Sequence, residues 1–320
     1  MIDDRSAAAI ALTSRLVDSD VKPMSPREYW DLAQRVAPSR LLGRRATDIA
    51  SEFDLASKDA ERLAALLNRG TGLAIALERL DHSGIWTIVE GDECYPVTLR
   101  ERLGSAAPVV IHGVGDKSIL HSDGVGIVGS RNVSPRGTEV ARTVSRNAVL
   151  AGFHVVSGAA RGVDSDAMNE AVATRDGRVL GVLADSLKKA IDKPAMRKGI
   201  ADGRICLLTP YSPASGFSVG SAMGRNKIIY ALSRCTIIVS TDNGTGGTWA
   251  GATEALKHQY GRVASWIGPG GGEGNRALLS LGALQLDDAT DLSPLLEAAP
   301  DPKHAPQGNA DLGGQLSLGF

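Results

Sequence analysis

The stretch that decides the fold is Val125-Gly126-Ile127-Val128-Gly129-Ser130-Arg131, with Ser134 and Pro135 shortly after it. Its first four residues form a short apolar run, which is typical of a buried β-strand. A helix is predicted directly afterwards, because Ser134 can accept hydrogen bonds from free backbone N–H groups and Pro135 suits the first helical turn. A strand, a glycine turn and a helix N-terminus are the first unit of a doubly wound α/β sheet. Such a turn favours an anion, and Arg131 adds a positive charge to it.

The chain continues as an alternation of apolar runs and helical segments, which a mostly parallel sheet requires. Strands are predicted at residues 125–128, 154–157, 178–183, 205–208, 236–239 and 263–267, and helices at about 164–174, 194–201, 222–234 and 249–260. The strands are almost continuously apolar, as expected where both sheet faces are covered. A further apolar run at 109–113 is predicted to join the sheet at its edge. The predicted fold class is therefore α/β, an extended Rossmann-like, doubly wound and mostly parallel sheet.

Two other regions flank the predicted sheet domain, which spans residues 84–292. Residues 1–83 read as short helices, with an interruption at Gly70-Thr71-Gly72, and resemble a SAM or helix-hairpin-helix module. Such modules contact a nucleic-acid backbone or a partner protein, or serve only for packing. Residues 293–320 begin with a Pro- and Gly-containing linker and are predicted to form a flexible tail.

Composition and charge limit the classes of function. The net charge of −1 argues against nucleic-acid binding by the whole surface. Between residues 131 and 265, however, 18 Lys and Arg stand against 10 Asp and Glu, a local excess of +8. This excess indicates a local electropositive face, or basic side chains that are scattered over a solvated surface. The N-terminus lacks the order of a signal peptide, no apolar run approaches about 18 residues, and three dispersed cysteines suit a reducing compartment, so a cytoplasmic protein is predicted.

Four predicted loops meet at one edge of the sheet, because ligands of doubly wound sheets bind beyond the carboxyl ends of the strands. Their candidate ligand-binding residues are Gly129, Ser130 and Arg131; Arg161 and Gly162; Arg225, Asn226 and Lys227; and Asn243, Gly244, Thr245, Gly246, Gly247 and Thr248. The last group can form a nest of backbone N–H groups that suits a phosphate. Three of the four loops contribute Arg or Lys. Together they predict a site for a polyanion.

Arg225 and Lys227 carry part of this prediction because they are expected in about the first turn of a helix. A cation there opposes the helix dipole at a cost of about 0.3–1 kcal/mol. An anionic ligand at the same place would reverse that cost. The alternative is that both side chains extend into solvent.

Several enzyme classes lack their motifs in this chain. The Lys-Ser pair of a P-loop is missing, and the run from Gly124 to Gly129 matches G-x-G-x-x-G only because it includes the strand itself. The six histidines are dispersed, and none has a Cys or carboxylate neighbour at metal-ligand spacing. No nucleophile–base pair is evident. We therefore predict a protein that is not an enzyme and has no cofactor and no metal.

The motifs resemble those of the DNA-processing protein A (DprA/Smf) family over about residues 84–284. The resemblance rests on Gly84-Ile85, Asp92, Tyr95-Pro96, Leu99, Gly129-Ser130-Arg131, Ser157-Gly158, Arg161-Gly162-Val163-Asp164, Phe217, Arg225-Asn226-Lys227-Ile228-Ile229, Leu232-Ser233, Thr245-Gly246-Gly247, Pro269-Gly270, Gly274-Asn275 and Gly282-Ala283. It implies a non-catalytic protein that binds single-stranded DNA in a basic pocket, forms a homodimer and helps to load a RecA-type recombinase. Arg131, Arg161, Arg225 and Lys227 would contact phosphates, while Gly129, Ser130 and residues 243–248 would shape the pocket.

The chain also departs from this family, with Met168 and Ser240 where a histidine and an acidic residue are usual, and with a tail too short for a winged helix. A role in natural transformation, or a divergent one in a mobile element or in phage defence, therefore remains open. The last six residues are similar to a peptide that binds the bacterial sliding clamp, through Gln315, Leu316, Leu318 and Phe320. The alternative is an apolar tail without a partner.

Two rival hypotheses use other features. Residues Gly246-Gly247-Thr248, Gly251 and Glu254 are loosely similar to a motif of phosphoribohydrolase-like Rossmann proteins. In that enzyme or nucleotide sensor, Glu254 would be a general base, and Arg161 or Arg225 would anchor a phosphate. The other rival is a regulatory partner protein, such as the neutralising half of a toxin pair.

Overall fold

The computed structural model describes residues 3–297, and within them nine strands form a single sheet. The strands are β1 (Trp86–Val89), β2 (Val110–Val114), β3 (Gly124–Val128), β4 (His154–Ser157), β5 (Val179–Val182), β6 (Ile205–Thr209), β7 (Cys235–Ile238), β8 (Arg262–Trp266) and β9 (Leu284–Leu286). Their order across the sheet is β1-β2-β6-β5-β4-β3-β7-β8-β9. Strands β3 to β9 are mutually parallel, whereas β1 and β2 pair antiparallel. The predicted fold class is confirmed.

The strand order reverses at β3. This strand lies between β4 and β7, so the chain builds the sheet first on one side of β3 and then on the other. Val128 is in register with Ile238, and the turns that follow β3 and β7 therefore leave the sheet side by side. Such a switch point is where doubly wound sheets bind their ligands. The apolar run at 109–113 forms β2, which joins the parallel strands at their β6 edge as predicted, and β1 adds one more antiparallel strand outside it.

Helices cover both faces of the sheet and also form the N-terminal region. They are α1 (Asp4–Thr13), α2 (Pro26–Arg35), α3 (Ala46–Glu52), α4 (Ser57–Leu67), α5 (Gly70–His82), α6 (Val97–Leu103), α7 (Pro135–Leu150), α8 (Val163–Ala173), α9 (Leu187–Ile191), α10 (Pro194–Ala201), α11 (Val219–Leu232), α12 (Gly246–His258), α13 (Glu273–Ser280) and α14 (Ser293–Leu296), with short 3-10 turns at Pro38–Leu41, Gly104–Ala106 and Lys117–His121. Buried residues of α7, α8 and α14 share one core cluster. Those of α6, α11, α12 and the N-terminal helices share the other. No helix within residues 3–297 is long and apolar enough to cross a membrane.

Two of these helices show how local sequence and packing compete. Helix α7 begins as predicted, because the Ser134 hydroxyl accepts the backbone N–H of Gly137 at 3.1 Å. The interruption predicted at residues 70–72 lies two residues earlier, at Asn68 and Arg69 between α4 and α5, and α5 starts at Gly70 itself. Burial of Leu73 and Leu80 stabilises that helix against the unfavourable helix propensity of glycine.

The N-terminal helices are attached to the sheet through the buried carboxylate of Glu90, which follows β1. The Tyr29 hydroxyl donates to Glu90 at 2.8 Å, and Arg5 forms an ion pair with the same carboxylate. Nearby, the Trp30 indole N–H donates to the Ala107 carbonyl at 2.9 Å. These buried polar contacts define how the helical region sits on the sheet. The predicted clamp peptide at 315–320 lies outside the described residues.

Candidate nucleic-acid interface

A pocket of about 400 Å³ lies at the carboxyl ends of β3 and β7, where the strand order reverses. Of the predicted site residues, the structure brings Gly129, Ser130, Arg131, Arg225, Asn226, Thr245, Gly246, Gly247 and Thr248 together in its lining. Arg161, Gly162, Lys227, Asn243 and Gly244 are not part of that lining. The loop that holds Arg161 and Gly162 reaches the lining through Ala160 and Asp164, so all four predicted loops meet at one site.

The turn after β3 is tight because other backbone lies directly against it. A Cβ atom on Gly129 would come within 2.6 Å of the Val163 side chain. The Ser130 N–H donates to the Ser240 carbonyl at 2.8 Å, which ties this turn to the end of β7. Gly162 has a positive φ of 86° and lies against the Ser130 carbonyl. Gly162 thus packs against the turn after β3 but does not itself line the pocket.

Arg131 is the exposed cation at the mouth of the pocket. Its guanidinium lies 5.3 Å from the centre of the Phe217 ring, over the ring face. Phe217 is an exposed aromatic residue, with 53% of its surface accessible, and it also lines the pocket. Among the described residues, no carboxylate lies within ion-pairing distance of Arg131. The pair therefore presents a free positive charge and an aromatic face to the same ligand.

Arg161 lies next to this mouth. It is exposed, and its guanidinium donates to the Asn132 side-chain oxygen at 2.8 Å. Asn132 belongs to the pocket lining, so Arg161 stands at the rim and not inside. The Asn132 side chain was not among the predicted site residues, although it directly follows the predicted turn.

Arg225 differs from its prediction in two respects. Helix α11 starts at Val219, so Arg225 and Lys227 lie in its second and third turns, and the argument from the helix dipole was wrong. Arg225 is also only 5% exposed, and its Nη1 lies 3.9 Å from the Asp164 carboxylate. Gly158 is necessary here, since a Cβ atom on it would lie 1.5 Å from the same nitrogen. Arg225 therefore shapes the pocket wall more than it offers a free charge.

Asp164 connects the glycine turns to this arginine. It lies in the first turn of α8, which begins at Val163 after Gly162, and its carboxylate accepts the Gly158 N–H at 3.1 Å. Burial raises the pKa of Asp164, while Arg225 and the backbone N–H groups act in the opposite direction. Burial likewise lowers the pKa of Arg225. The two groups form a buried pair in the lining of the pocket.

The loop after β7 is held by Asn275, a buried residue of α13. Its side-chain nitrogen lies within 3.1 Å of the carbonyls of Ile238, Val239 and Trp266. Its side-chain oxygen accepts from the backbone N–H of Thr241 at 2.9 Å. In the sequence Asn275 stands out only as part of a family motif, because its hydrogen-bond partners at the site are distant in the chain.

Helix α12 starts at Gly246, directly after this loop, and its first three residues line the pocket. Helix N-termini present free backbone N–H groups and a positive dipole end to anions. Asn226 holds α12 against α11, because its side chain donates to the Gly247 carbonyl at 3.2 Å. Gly244 and Asn243 lie in the exposed part of the loop.

The Lys227 side chain does not line the pocket. Its ammonium lies 2.9 Å from Glu254, the general base of the rival enzyme hypothesis, and it lines a separate cavity on the other side of α11. Glu254 does not belong to the pocket lining.

Within the pocket, Asp164 and Asp242 balance Arg131 and Arg225 in formal charge. No group of His, Cys, Asp and Glu in the described part of the chain is arranged to hold a metal ion.

A mostly parallel doubly wound sheet with a pocket at its switch point, lined by two arginines and two aspartates, defines the class: a Rossmann-like protein. The chain belongs to the family of the DNA recombination-mediator protein A, whose sequence profile matches residues 86–297. Protein Smf from Synechocystis sp. is 32% identical over 162 residues, which are 48% of this chain and 39% of that protein. The DNA processing protein DprA of Bacillus subtilis is 26% identical over 248 residues, which are 75% of this chain and 78% of that protein.

Two solved structures share the fold. DNA processing protein A from Streptococcus pneumoniae superposes with a TM-score of 0.62 at 21% identity, over 85% of this chain and 98% of that one. DNA processing protein A from Helicobacter pylori, described for its single-stranded DNA binding mode, superposes with a TM-score of 0.54 at 24% identity. That match covers 67% of this chain and 95% of the Helicobacter chain.

Proposed function

We propose that the chain binds single-stranded DNA in the pocket at the ends of β3 and β7 and mediates DNA recombination without chemical turnover. The observation that carries this proposal is the position of the Arg131 guanidinium over the exposed Phe217 ring at the mouth of the pocket. An aromatic face that can stack with a base, next to a cation that can hold a phosphate, is how proteins recognise unpaired nucleotides. Bases in a duplex are already stacked and cannot use such a face.

Two further features support this function. The N-terminal residues of α12 also line the pocket, and an anion is favoured at a helix N-terminus. The Helicobacter pylori relative, according to its description, binds single-stranded DNA, and the family is named for mediating recombination. The rival hydrolase is less well supported, because its general base Glu254 is paired with Lys227 outside the pocket.

Fluorescence anisotropy with a labelled oligothymidylate, and with a duplex of the same length, tests this function. Phe217→Ala should cost about 1–3 kcal/mol of binding free energy, the range for loss of one stacked base. Arg131→Ala should also weaken binding and should reduce its salt dependence, because one phosphate contact is lost. Equal affinity for strand and duplex, or unchanged binding by both folded variants, would refute the proposal.

Two exposed residues at the ends of the strands opposite the pocket provide matched control substitutions. Arg175 is an exposed arginine that precedes β5, and Leu150 is an exposed apolar residue at the end of α7. Both lie at the amino ends of the parallel strands, away from the pocket. Arg175→Ala and Leu150→Ala should bind DNA as the wild type does, which separates the site from general charge and surface effects.

The predicted partners are part of the same proposal. The family description names recombination mediation, and a RecA-type recombinase as the partner is tested by recombinase filament formation on DNA that this protein covers, with Arg131→Ala as the variant of weakened DNA binding. The homodimer is tested by sedimentation velocity, and a single species at the monomer mass would contradict it. Clamp binding through residues 315–320 is tested by deleting those residues, and unchanged affinity for the clamp would exclude it. A cytoplasmic location is consistent with the three free cysteines.

A further inference from the structure

A second cavity, of about 730 Å³, lies between the N-terminal helices and the sheet. We call it the interdomain groove. One wall carries Arg15 and Arg27, which lie after α1 and in α2, and the other carries the loop after β6 and the face of α11 that includes Lys227. The Glu90 contacts to Arg5 and Tyr29 hold the two walls in place.

The interdomain groove is more electropositive than the pocket. Its lining includes Arg15, Arg27 and Lys227 and no Asp or Glu, whereas two carboxylates balance the two arginines of the pocket. Glu254 neutralises Lys227 from outside the groove. Arg15 and Arg27 are exposed, and among residues 3–297 no acidic side chain pairs with either of them. A phosphate chain would be the counter-charge for these two arginines.

The groove and the pocket adjoin each other across one helix. Val219 and Ala222 of α11 line the pocket, whereas Gly220, Ser221 and Gly224 of the same helix line the groove. The two cavities lie on either side of α11, and at its first turn, where Val219 and Gly220 are exposed, they come together at the surface. The small residues on the groove side leave room for a backbone to approach closely. A strand that leaves the pocket next to Phe217 can therefore pass over this turn into the groove.

From these observations we infer that the interdomain groove binds a second segment of the same DNA strand, through its phosphates. This inference rests on the proposed function of the pocket. It assigns a nucleic-acid contact to the N-terminal helices, whose role the sequence left open between binding and packing. It also gives Lys227 a place at the groove instead of in the pocket.

Binding of a short and a long oligothymidylate, of about 4 and about 20 nucleotides, tests the inference, since single-strand sites span roughly this range. The variant is Arg15→Glu/Arg27→Glu in the full chain. We expect unchanged affinity for the short strand and about a tenfold loss for the long one, with a salt slope smaller by about 1.4, which is about 0.7 for each of two phosphates. The control is Arg175→Glu/Lys198→Glu, the same change of charge at exposed residues near the amino ends of β5 and β6.

The outcomes separate the inference from the function on which it rests. Wild-type affinity and salt slope for the long strand in the folded Arg15→Glu/Arg27→Glu variant would overturn the groove and leave the pocket intact. An equal loss for both strand lengths, or an equal loss in the control variant, would also overturn it, because the effect would then be one of general charge. If the wild type binds neither strand, the proposed function itself fails.

Discussion

Replacing Asp164 by asparagine should destabilise the protein by about 3 kcal/mol, because the change removes the counter-charge of a buried guanidinium. Removing one partner of a buried ion pair costs about 3–5 kcal/mol. The separation of 3.9 Å between Asp164 and Arg225 exceeds hydrogen-bonding distance, so the lower end of that range applies. The asparagine can still accept the Gly158 N–H, which isolates the effect of charge. We expect DNA binding to fall as well, since the pocket wall depends on the position of Arg225.

The pairing itself is measured by a double-mutant cycle. Arg225→Met alone leaves the Asp164 carboxylate buried without its cation and should cost a similar amount. The double variant Asp164→Asn/Arg225→Met buries no charge in this pair, so it should lose less than the sum of the single variants, by about 1–3 kcal/mol. Unfolding in urea gives each free energy, and an unchanged slope against urea shows that the unfolding reaction is the same.

A matched control lies two residues away. Asp166 pairs with the exposed Arg142 at 3.4 Å, and surface pairs of this kind contribute at most about 1 kcal/mol. Asp166→Asn should therefore have a small effect. If Asp164→Asn costs no more than Asp166→Asn, or if the effects at Asp164 and Arg225 add to within about 0.5 kcal/mol, the reasoning about this buried pair is refuted.

Two other changes test the core around the site. Burial lowers the pKa of both His112 and His154 to about 4, so the unfolded chain takes up protons first as the pH falls below about 6.5; stability should be complete above that pH and should decline towards pH 4, by up to about 3 kcal/mol per histidine. Urea unfolding at several pH values measures this, and His154→Asn should remove its share; an unchanged pH profile in that variant would contradict the assignment. Asn275→Ala should cost about 2–4 kcal/mol because it leaves several buried backbone groups without partners, whereas Asn243→Ala, in the exposed part of the same loop, should change stability by less than about 0.5 kcal/mol. Equal effects of these two substitutions would rule out Asn275 as the anchor of the loop.

Much of the architecture was predictable from local sequence. Each strand buried on both faces needs a continuous apolar run, and each run is bounded by turn residues, so the six strands of residues 125–267 were located to within about two residues. The turn at Gly129 and the helix start at Ser134 followed in the same way, because glycine turns and helix caps depend on residues that are neighbours in the chain. The position of the pocket beyond the carboxyl ends of the parallel strands followed from the doubly wound topology.

What remained hidden depends on residues that are distant in the chain. A sequence shows that Arg225 is basic, but only the folded chain shows that Asp164 lies beneath it and that the exposed charge of the pocket is Arg131, over Phe217. Helix α11 began earlier than predicted, because apolar periodicity does not reveal where its first exposed turn starts. The interdomain groove has no signal in sequence, since Arg15 and Lys227 share a cavity only after Glu90 has bound the N-terminal helices to the sheet. Runs of apolar residues determine which strands and helices form. Ion pairs between residues that are distant in the chain decide which charged side chains a ligand can reach.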